Sequence, residues 1–453
     1  MNDNKAFSLF DFGLKKAGNV HLYDNSSLDA QGKIIPFATQ LAIVSHYIQT
    51  ESTKFSLPFK NKAEQFIAFW SEWVRGNQKE LGVGNDIVSE PSALDLFLFH
   101  DIYEAPFKPI EKPKFSFIDL FAGIGGFRLA FQNVGGRCVF SSEWDNDAQR
   151  TYFANYGEYP FGDITLESTK SYIPKHFDIL CAGFPCQPFS YAGLKEGFED
   201  KTRGTLFFDI CDILKKHRPR MFLLENVKGL VSHKNGETVR IILESLKELG
   251  YFVHTKVLSS LDFGLPQKRE RWYCVGFDKD IDFSFPEPKN TKPTLRDIVD
   301  QSDNNPSLKL SQFELERIDY HFAHVSAEQE RVPHDNSKYK PNTKKGKYGI
   351  FSYQKPDGSL RFHVGDVAKT QIQEAFYACL DTYAPTIIAG RVPKMWDMRR
   401  RLSILESKRL QGFPDDFLMP VSDIQAYKQL GNSVSVPIIQ AIAQNMISAY
   451  NKK

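Results

Sequence analysis

The chain is 453 residues long, 42% hydrophobic and 13% aromatic, enough to bury a substantial core and, by length, to build two or three domains. Lys and Arg (57) nearly balance Asp and Glu (55), for a formal charge of +2, so the overall balance neither demands nor excludes a polyanionic partner and any electrostatic footprint is local. Six cysteines, at 138, 181, 186, 211, 274 and 379, form no CxxC pair, which argues against a disulfide framework or zinc site and for a reducing compartment, while no run approaches the roughly 18 apolar residues of a spanning helix, so a soluble, intracellular chain off the membrane is expected.

Residues 1–112 carry helical periodicity in "FATQLAIVSHYIQT" (37–50) and "KAEQFIAFWSEWVRG" (62–76), where Phe66, Ile67, Phe69, Trp70 and Trp73 recur at roughly helical spacing and read as core. A mainly helical N-terminal extension is predicted. The Pro-punctuated "APFKPIEKPKF" (105–115) reads as a linker. From 113 to 279 the pattern becomes strand, turn and helix: "FSFIDLFAGIGG" (115–126), "CVFSSEWD" (138–145), "FDILCAGFP" (177–185), "MFLLENV" (221–227) and "RWYCVGF" (271–277) are short apolar strands. Strands alternating with helices predict an α/β domain, Rossmann-like, with a parallel, doubly wound sheet. Residues 280–398, including the basic, aromatic "RVPHDNSKYKPNTKKGKYGIFSYQKPDGSLRF" (331–362), lack clear periodicity and predict a smaller, irregular domain. From 399 to 453, "RLSILESKRLQGFP" (401–414) and "AYKQLGNSVSVPIIQAIAQNMISAY" (426–450) restore helix-forming sequence and return to the first domain.

Two stretches carry chemistry. Gly123, Gly125 and Gly126 in "DLFAGIGGF" follow a strand and precede a helix, where backbone can approach a nucleotide-like ligand closely. Glu143 lies 20 residues beyond Gly123 at the tip of the second strand, the position that holds ribose hydroxyls in doubly wound nucleotide folds. A nicotinamide dinucleotide and S-adenosylmethionine both suit this pair. Trp144 offers a flat face for adenine, and Asp163 in "GDI" an acceptor for its amino group. The other stretch is "DILCAGFPCQPFSYAG" (178–193), in which Cys181 sits inside the apolar run and Cys186 stands between Pro185 and Pro188 just where that run ends. Cys186 is displayed on a stiff backbone.

With "SSEWD", "GFEDKTRGTLFFD" (197–209), "ENV" (225–227), "QKRER" (267–271), "RLSILESKRLQGFP" and "QLGNSVSVP" (429–437) in the same order and at similar spacing, the chain resembles the DNA (cytosine-5)-methyltransferases of bacteria and phages. The resemblance spans 113–279 and 399–453. It implies transfer of a methyl group from S-adenosylmethionine to C5 of a flipped-out cytosine in a short, specific duplex DNA sequence. Cytosine C5 is too poor a nucleophile to take that group unaided, and attack of the Cys186 thiolate at C6 turns the ring into an enamine. The resemblance gives Glu225 contact with N3 and the exocyclic amine, with a raised pKa. Arg271 is placed on the O2 side, with Gln267 and Arg269 supporting the site or touching phosphate. For the cofactor it implies Phe121, Ala122, Gly123 and Gly125 along the methionine and adenosine moieties, and Glu143 on the ribose. Trp144 and Ile164 would sandwich the adenine and Asp163 bind its amino group, with Pro185, Leu206, Asn432 and Ser433 closing the pocket and no metal required. Ser190, Asn226 and Thr386, the last in "APTIIAG", fall on the substrate side. The loop 190–204 would close as a lid hinged at Gly193, Gly197 and Gly204.

The resemblance also makes 280–398 a target-recognition domain reading base edges. It implies a cytoplasmic monomer at the bacterial nucleoid, either paired with a restriction endonuclease or acting alone. Leu405 stands where the family commonly has Arg, a structural or phosphate contact this chain lacks. Residues 1–112 match no block; buttressing the fold is their expected role, with DNA binding, self-regulation and partner docking open. Two alternatives stay on the table: a tRNA cytosine methyltransferase of the same chemistry, and a non-catalytic DNA-binding regulator on the same fold.

Overall fold

The computed structural model describes residues 35–50, 59–81, 83–185, 206–289, 291–334, 349–365 and 372–452. Both N-terminal periodic stretches are helices, α1 (Phe37–Thr50) and α2 (Lys60–Gly76). On α2 the residues Ala63, Phe66, Trp70 and Val74 are buried, one face at i, i+3 and i+4 spacing. A third helix, α3 (Pro91–Tyr103), starts on a proline whose missing N–H has no intrahelical partner to lose. The segment 105–115 is no free tether: Ala105 is buried and Phe107 N donates to Asn155 O at 2.9 Å.

Between residues 115 and 277 lie strands β1 (Phe115–Leu120), β2 (Gly136–Ser142), β3 (Ile179–Gly183), β4 (Met221–Val227), β5 (Phe252–Ser259), β6 (Gln267–Lys268) and β7 (Glu270–Phe277). All but β6 form one sheet in the order β2-β1-β3-β4-β7-β5. Side chains alternate between two cores, as a sheet covered on both faces requires. Ile118, Leu120, Leu180, Phe222 and Leu224 join one cluster with the N-terminal helices; Phe117, Ile179, Cys181, Leu223 and Val275 join the other. Helices α4 (Gly126–Asn133), α5 (Asn146–Tyr156), α6 (Leu206–His217) and α7 (Glu237–Glu248) connect the strands.

The sheet departs from the all-parallel expectation at β7, which runs antiparallel to β4 and β5. Residues 260–269 hold no crossover helix, so the chain leaving β5 turns straight back, and only an antiparallel strand results. Register then fixes what meets at one edge. Leu120 pairs with Ser142 and Ala182, Gly183 with Glu225, and Val227 with Arg271. The carboxyl ends of β1 to β4 and the start of β7 therefore converge.

Residues 280–398 are more regular than their sequence suggests. Helix α8 (Gln312–His324) packs on a sheet containing β8 (Val332–His334), β9 (Gly349–Gln354), β10 (Leu360–Gly365) and β11 (Ile372–Ala378). A two-residue strand β12 (Ala384–Pro385) pairs in parallel with β6, while β13 (Lys394–Met395) and β14 (Arg400–Arg401) complete the second sheet in the order β14-β13-β11-β10-β9-β8. The alternation is real but short: Ile350, Leu360 and Phe362 face Ile318 of α8 in the core, and the Lys- and Gly-rich run beside them hides the pattern. The chain then returns through α9 (Ile404–Gln411), α10 (Asp423–Asn432) and α11 (Val436–Asn451), the last packed on α4. The first turn of α9, where partly buried Leu405 sits, is held by a Ser403–Glu406 capping box, and Arg400 pairs with Glu406 at 2.7 Å. Among the described residues no helix is long and apolar enough to cross a membrane.

Candidate active site

The converging strand ends open into a cavity of about 750 Å³. At its cofactor end the turn after β1 is tightly specified. Phe121 has φ +55, uncommon for an aromatic residue, and the conformation is held by Ala122 N donating to Ser142 O at 2.9 Å. Gly123 N donates to Glu143 Oε2 at 2.7 Å, and Glu143 Oε1 accepts from Trp144 N and Asp145 N at 2.9 Å each. Burial pushes the Glu143 carboxyl up, and these backbone donors pull it back. Three bonds leave a carboxylate lone pair for a hydroxyl group.

Gly123 and Gly162 line the cavity, and a Cβ on either would meet nothing within 4 Å, so both keep a cradle open. Trp144 is 77% exposed although it lines the cavity, as buried Ile164 also does. A large indole left in water is a surface lacking its partner. Asp163 Oδ1 accepts from Thr165 N at 2.9 Å. Ala122, Pro185, Leu206, Asn432 and Ser433 complete the expected cofactor residues that line the cavity. Gly125 does not line it. At φ +86 it caps α4, and a Cβ there would lie 2.3 Å from the Tyr156 ring, so helix packing by itself requires its glycine.

A second group of lining residues is charged. Glu225, 8% exposed, lies two residues before the end of β4 with Oε1 3.1 Å from Arg271 Nε. That contact is an ion pair without hydrogen-bond alignment, and Oε1 is buried with no hydrogen-bond partner. Burial raises the Glu225 carboxyl above its ordinary value, opposed by Arg271 and then Arg269. A buried, underserved carboxyl facing a cavity suits a ligand that offers nitrogen groups. Asn226 also lines the cavity, but its amide is committed: Nδ2 donates to Phe184 O at 3.0 Å and Oδ1 accepts from Val227 N at 2.8 Å. It ties β4 to the backbone two residues before Cys186.

Gln267 and Arg269 are buried, at 0% and 3% exposure, and Arg269 also lines the cavity; the bonds of both are those of supports. Gln267 Nε2 donates to Leu410 O and Gln411 Oε1, and Oε1 accepts from Ile387 N at 3.0 Å. Arg269 donates to Ile387 O at 3.0 Å, Gly431 O at 3.3 Å and Ser433 O. Burial and the neighbouring Arg271 push its guanidinium down to about 9, so it stays charged at neutral pH. One cation thus ties its own strand region to two segments far away in sequence, at 387 and at 431–433. Arg269→Met is expected to lower stability by about 3 kcal/mol or more, since the three carbonyls lose their charged donor; urea denaturation checks this, and an unchanged midpoint would contradict it. Thr386 lies outside the cavity lining, its hydroxyl donating to Lys268 O at 2.6 Å beside the β6–β12 pair.

Cys186, Ser190 and the loop 190–204 lie outside the described residues. The five described cysteines, 138, 181, 211, 274 and 379, are buried. Burial pushes the Cys138 thiol up to about 12 and raises Cys181, Cys274 and Cys379 as well, so these four are poor sources of thiolate. Sequence reasoning missed Lys428, which lines the cavity and reaches Asp145 Oδ2 at 3.0 Å. Its signal was available: Lys428 is four residues before Asn432, one helical turn along α10.

A family model described as C-5 cytosine-specific DNA methylase matches residues 115–448. The Type II methyltransferase M.HpaII of Haemophilus parainfluenzae is 43% identical over 371 residues, covering 80% of this chain and 96% of that protein. The Type II methyltransferase M.HhaI of Haemophilus parahaemolyticus is 39% identical over 341 residues, covering 74% of this chain and 95% of its own length. Among solved structures, the S. pombe Dnmt2 methyltransferase shares the fold with a TM-score of 0.52 at 17% identity, covering 75% of this chain and 100% of that one.

Proposed function

The chain belongs to the C-5 cytosine-specific DNA methylase family and is an S-adenosylmethionine-dependent DNA cytosine-5 methyltransferase; from that premise we propose how its residues act. The substrate is a cytosine swung out of a short, specific duplex sequence, at a cost of about a few kcal/mol in lost stacking and pairing. The observation that carries this reading is one cavity holding both the Gly123–Glu143–Trp144 cradle and the Glu225–Arg271 pair. A nucleoside end and a carboxyl end in one space suit two ligands brought together.

Bound in the cradle, S-adenosylmethionine supplies an electrophilic methyl group. Glu143 would accept the ribose hydroxyls, and the Trp144 face and Ile164 would enclose the adenine. Trp144→Ala is expected to weaken S-adenosylhomocysteine binding about tenfold, the scale of one lost stacking contact; calorimetry reads this directly, and undiminished affinity would remove Trp144 from the adenine site. At the other end the Cys186 thiolate bonds to C6 while Glu225 gives its proton to N3, so the ring becomes an enamine with C5 electron-rich. Arg271 steadies charge on the O2 side and holds Glu225 in place. After C5 is alkylated, the C5 proton passes to solvent, the Cys186 thiolate departs and the N3 proton returns to the Glu225 carboxylate, which restores the aromatic ring and the starting enzyme.

Residues 280–398 form the target-recognition domain in this reading, with the β6–β12 pair joining it to the catalytic body. A cognate restriction endonuclease, a monomeric state and a cytoplasmic site of action at the nucleoid belong to the same proposal. Bisulfite sequencing of DNA from cells expressing the chain tests it: protected cytosines should cluster in one short motif, and DNA with none would overturn the reading.

A further inference from the structure

Residues 35–112 lie outside the family match, which begins at 115, yet they are built into the body. Helix α1 lies against residues 157–161, the segment joining α5 to Asp163 and Ile164 of the cofactor wall. Buried Ser45 Oγ accepts from Tyr159 N at 2.9 Å. Buried His46 has its ring 5.1 Å from Phe161, and Phe59 of the extension stacks on Phe161 at 5.9 Å. Phe161 in turn pairs with the end of β2, donating to Ser141 O and accepting from Glu143 N at 2.9 Å each. Gly157, at φ +65, has no room for a side chain: a Cβ would lie 2.5 Å from Ile102 O and 2.6 Å from Gln49 Nε2. The extension occupies that space.

A second line of contacts runs to the glycine turn. His46 Nδ1 donates to Ala42 O at 2.8 Å, which fixes the ring with Nε2 3.5 Å from Glu158 Oε2. Glu158 Oε2 accepts from Arg128 Nη1 at 2.5 Å, and all three side chains are fully buried. Burial raises Asp119, also near Arg128, well above the ordinary carboxylate range, so Glu158 is the anion that balances Arg128. The Arg128 guanidinium lies 4.8 Å from the centre of the Tyr156 ring, and the Tyr156 hydroxyl donates to Gly125 O at 2.7 Å. Gly125 is two residues from Gly123 of the cradle.

We propose that the N-terminal extension is a brace for the cofactor pocket, in which Ser45 and His46 of α1 act as positioning residues. Through Tyr159 and Phe161 they set the wall bearing Asp163 and Ile164, and through Glu158, Arg128 and Tyr156 they set the glycine turn. The inference rests on the cofactor reading given above. A side chain that touches no ligand can still change its affinity when both belong to one packed network.

The test uses the full chain with Ser45→Ala, His46→Ala and the double variant, measuring S-adenosylhomocysteine binding by calorimetry and steady-state kinetics with duplex DNA. The double variant should bind the cofactor product about fivefold or more weakly, an effect within the range of such indirect couplings. KM for S-adenosylmethionine should rise in step, while kcat at saturating cofactor and KM for DNA stay near wild type. A variant that melts earlier yet binds with wild-type affinity would overturn the brace. If the double variant does not fold, Ser45→Ala alone decides, because it removes one oxygen: faster hydrogen exchange over residues 121–126 supports the brace and unchanged exchange overturns it. Wild-type protein that binds no S-adenosylhomocysteine would instead strike the cofactor reading itself.

Discussion

Cys186→Ser is expected to abolish methyl transfer to DNA, by at least about 10³-fold, while S-adenosylhomocysteine affinity stays within about twofold of wild type. A serine hydroxyl is not ionised near neutrality, so C6 is not attacked and C5 never gains the electron density it needs. No described thiol offers a substitute, since all five are buried. The measurement is single-turnover transfer of labelled methyl groups beside calorimetry of the cofactor product. Wild-type turnover in the variant would remove Cys186 from the chemistry, and lost cofactor binding would mean a structural role.

Glu225→Gln is expected to slow adduct formation about 10²-fold and to change the shape of its pH dependence. The raised Glu225 pKa means that the carboxyl keeps its proton above the pH at which an ordinary glutamate loses it. The protonated form is the one that gives a proton to N3. The wild-type rate should therefore fall on the alkaline side, as pH rises through that raised value. Glutamine can hydrogen-bond N3 but has no proton to deliver, so the variant is slower and lacks this alkaline limb. The ascending limb, set by Cys186 thiolate formation, is common to both. Pre-steady-state rates from about pH 5 to about pH 9 show the difference; an alkaline limb that survives the substitution would assign it to another group.

Much of the site was legible because its residues sit at strand ends, and strand ends meet at one edge. Glu143, Trp144 and Glu225 needed only the correct strands and their register. The supports were harder to read. Nothing in "QKRER" says that Arg269 spends its donors on three carbonyls while Arg271 reaches Glu225, although both line the cavity; both arginines are polar, and only packing separates them. Gly125 was ambiguous for a related reason: a glycine can serve a helix start and a neighbouring Tyr156 ring as well as a ligand. The antiparallel β7 was hidden because an apolar strand carries no mark of its direction. The link from His46 to Glu158 spans 112 positions of sequence, shown by the residue numbers themselves, and local periodicity holds no record of such a contact. Lys428, by contrast, could have been found from its place one turn before Asn432.

The claim on which the mechanism depends is a transient bond between the Cys186 sulfur and cytosine C6. It is tested by incubating the protein and S-adenosylmethionine with a duplex carrying 5-fluorocytosine at the bisulfite-mapped target, where fluorine on C5 blocks the final proton loss. A denaturation-stable protein–DNA complex is predicted, with the mass of the modified nucleotide on the peptide containing Cys186. A duplex that remains unattached, or one attached through any other residue, would contradict the account.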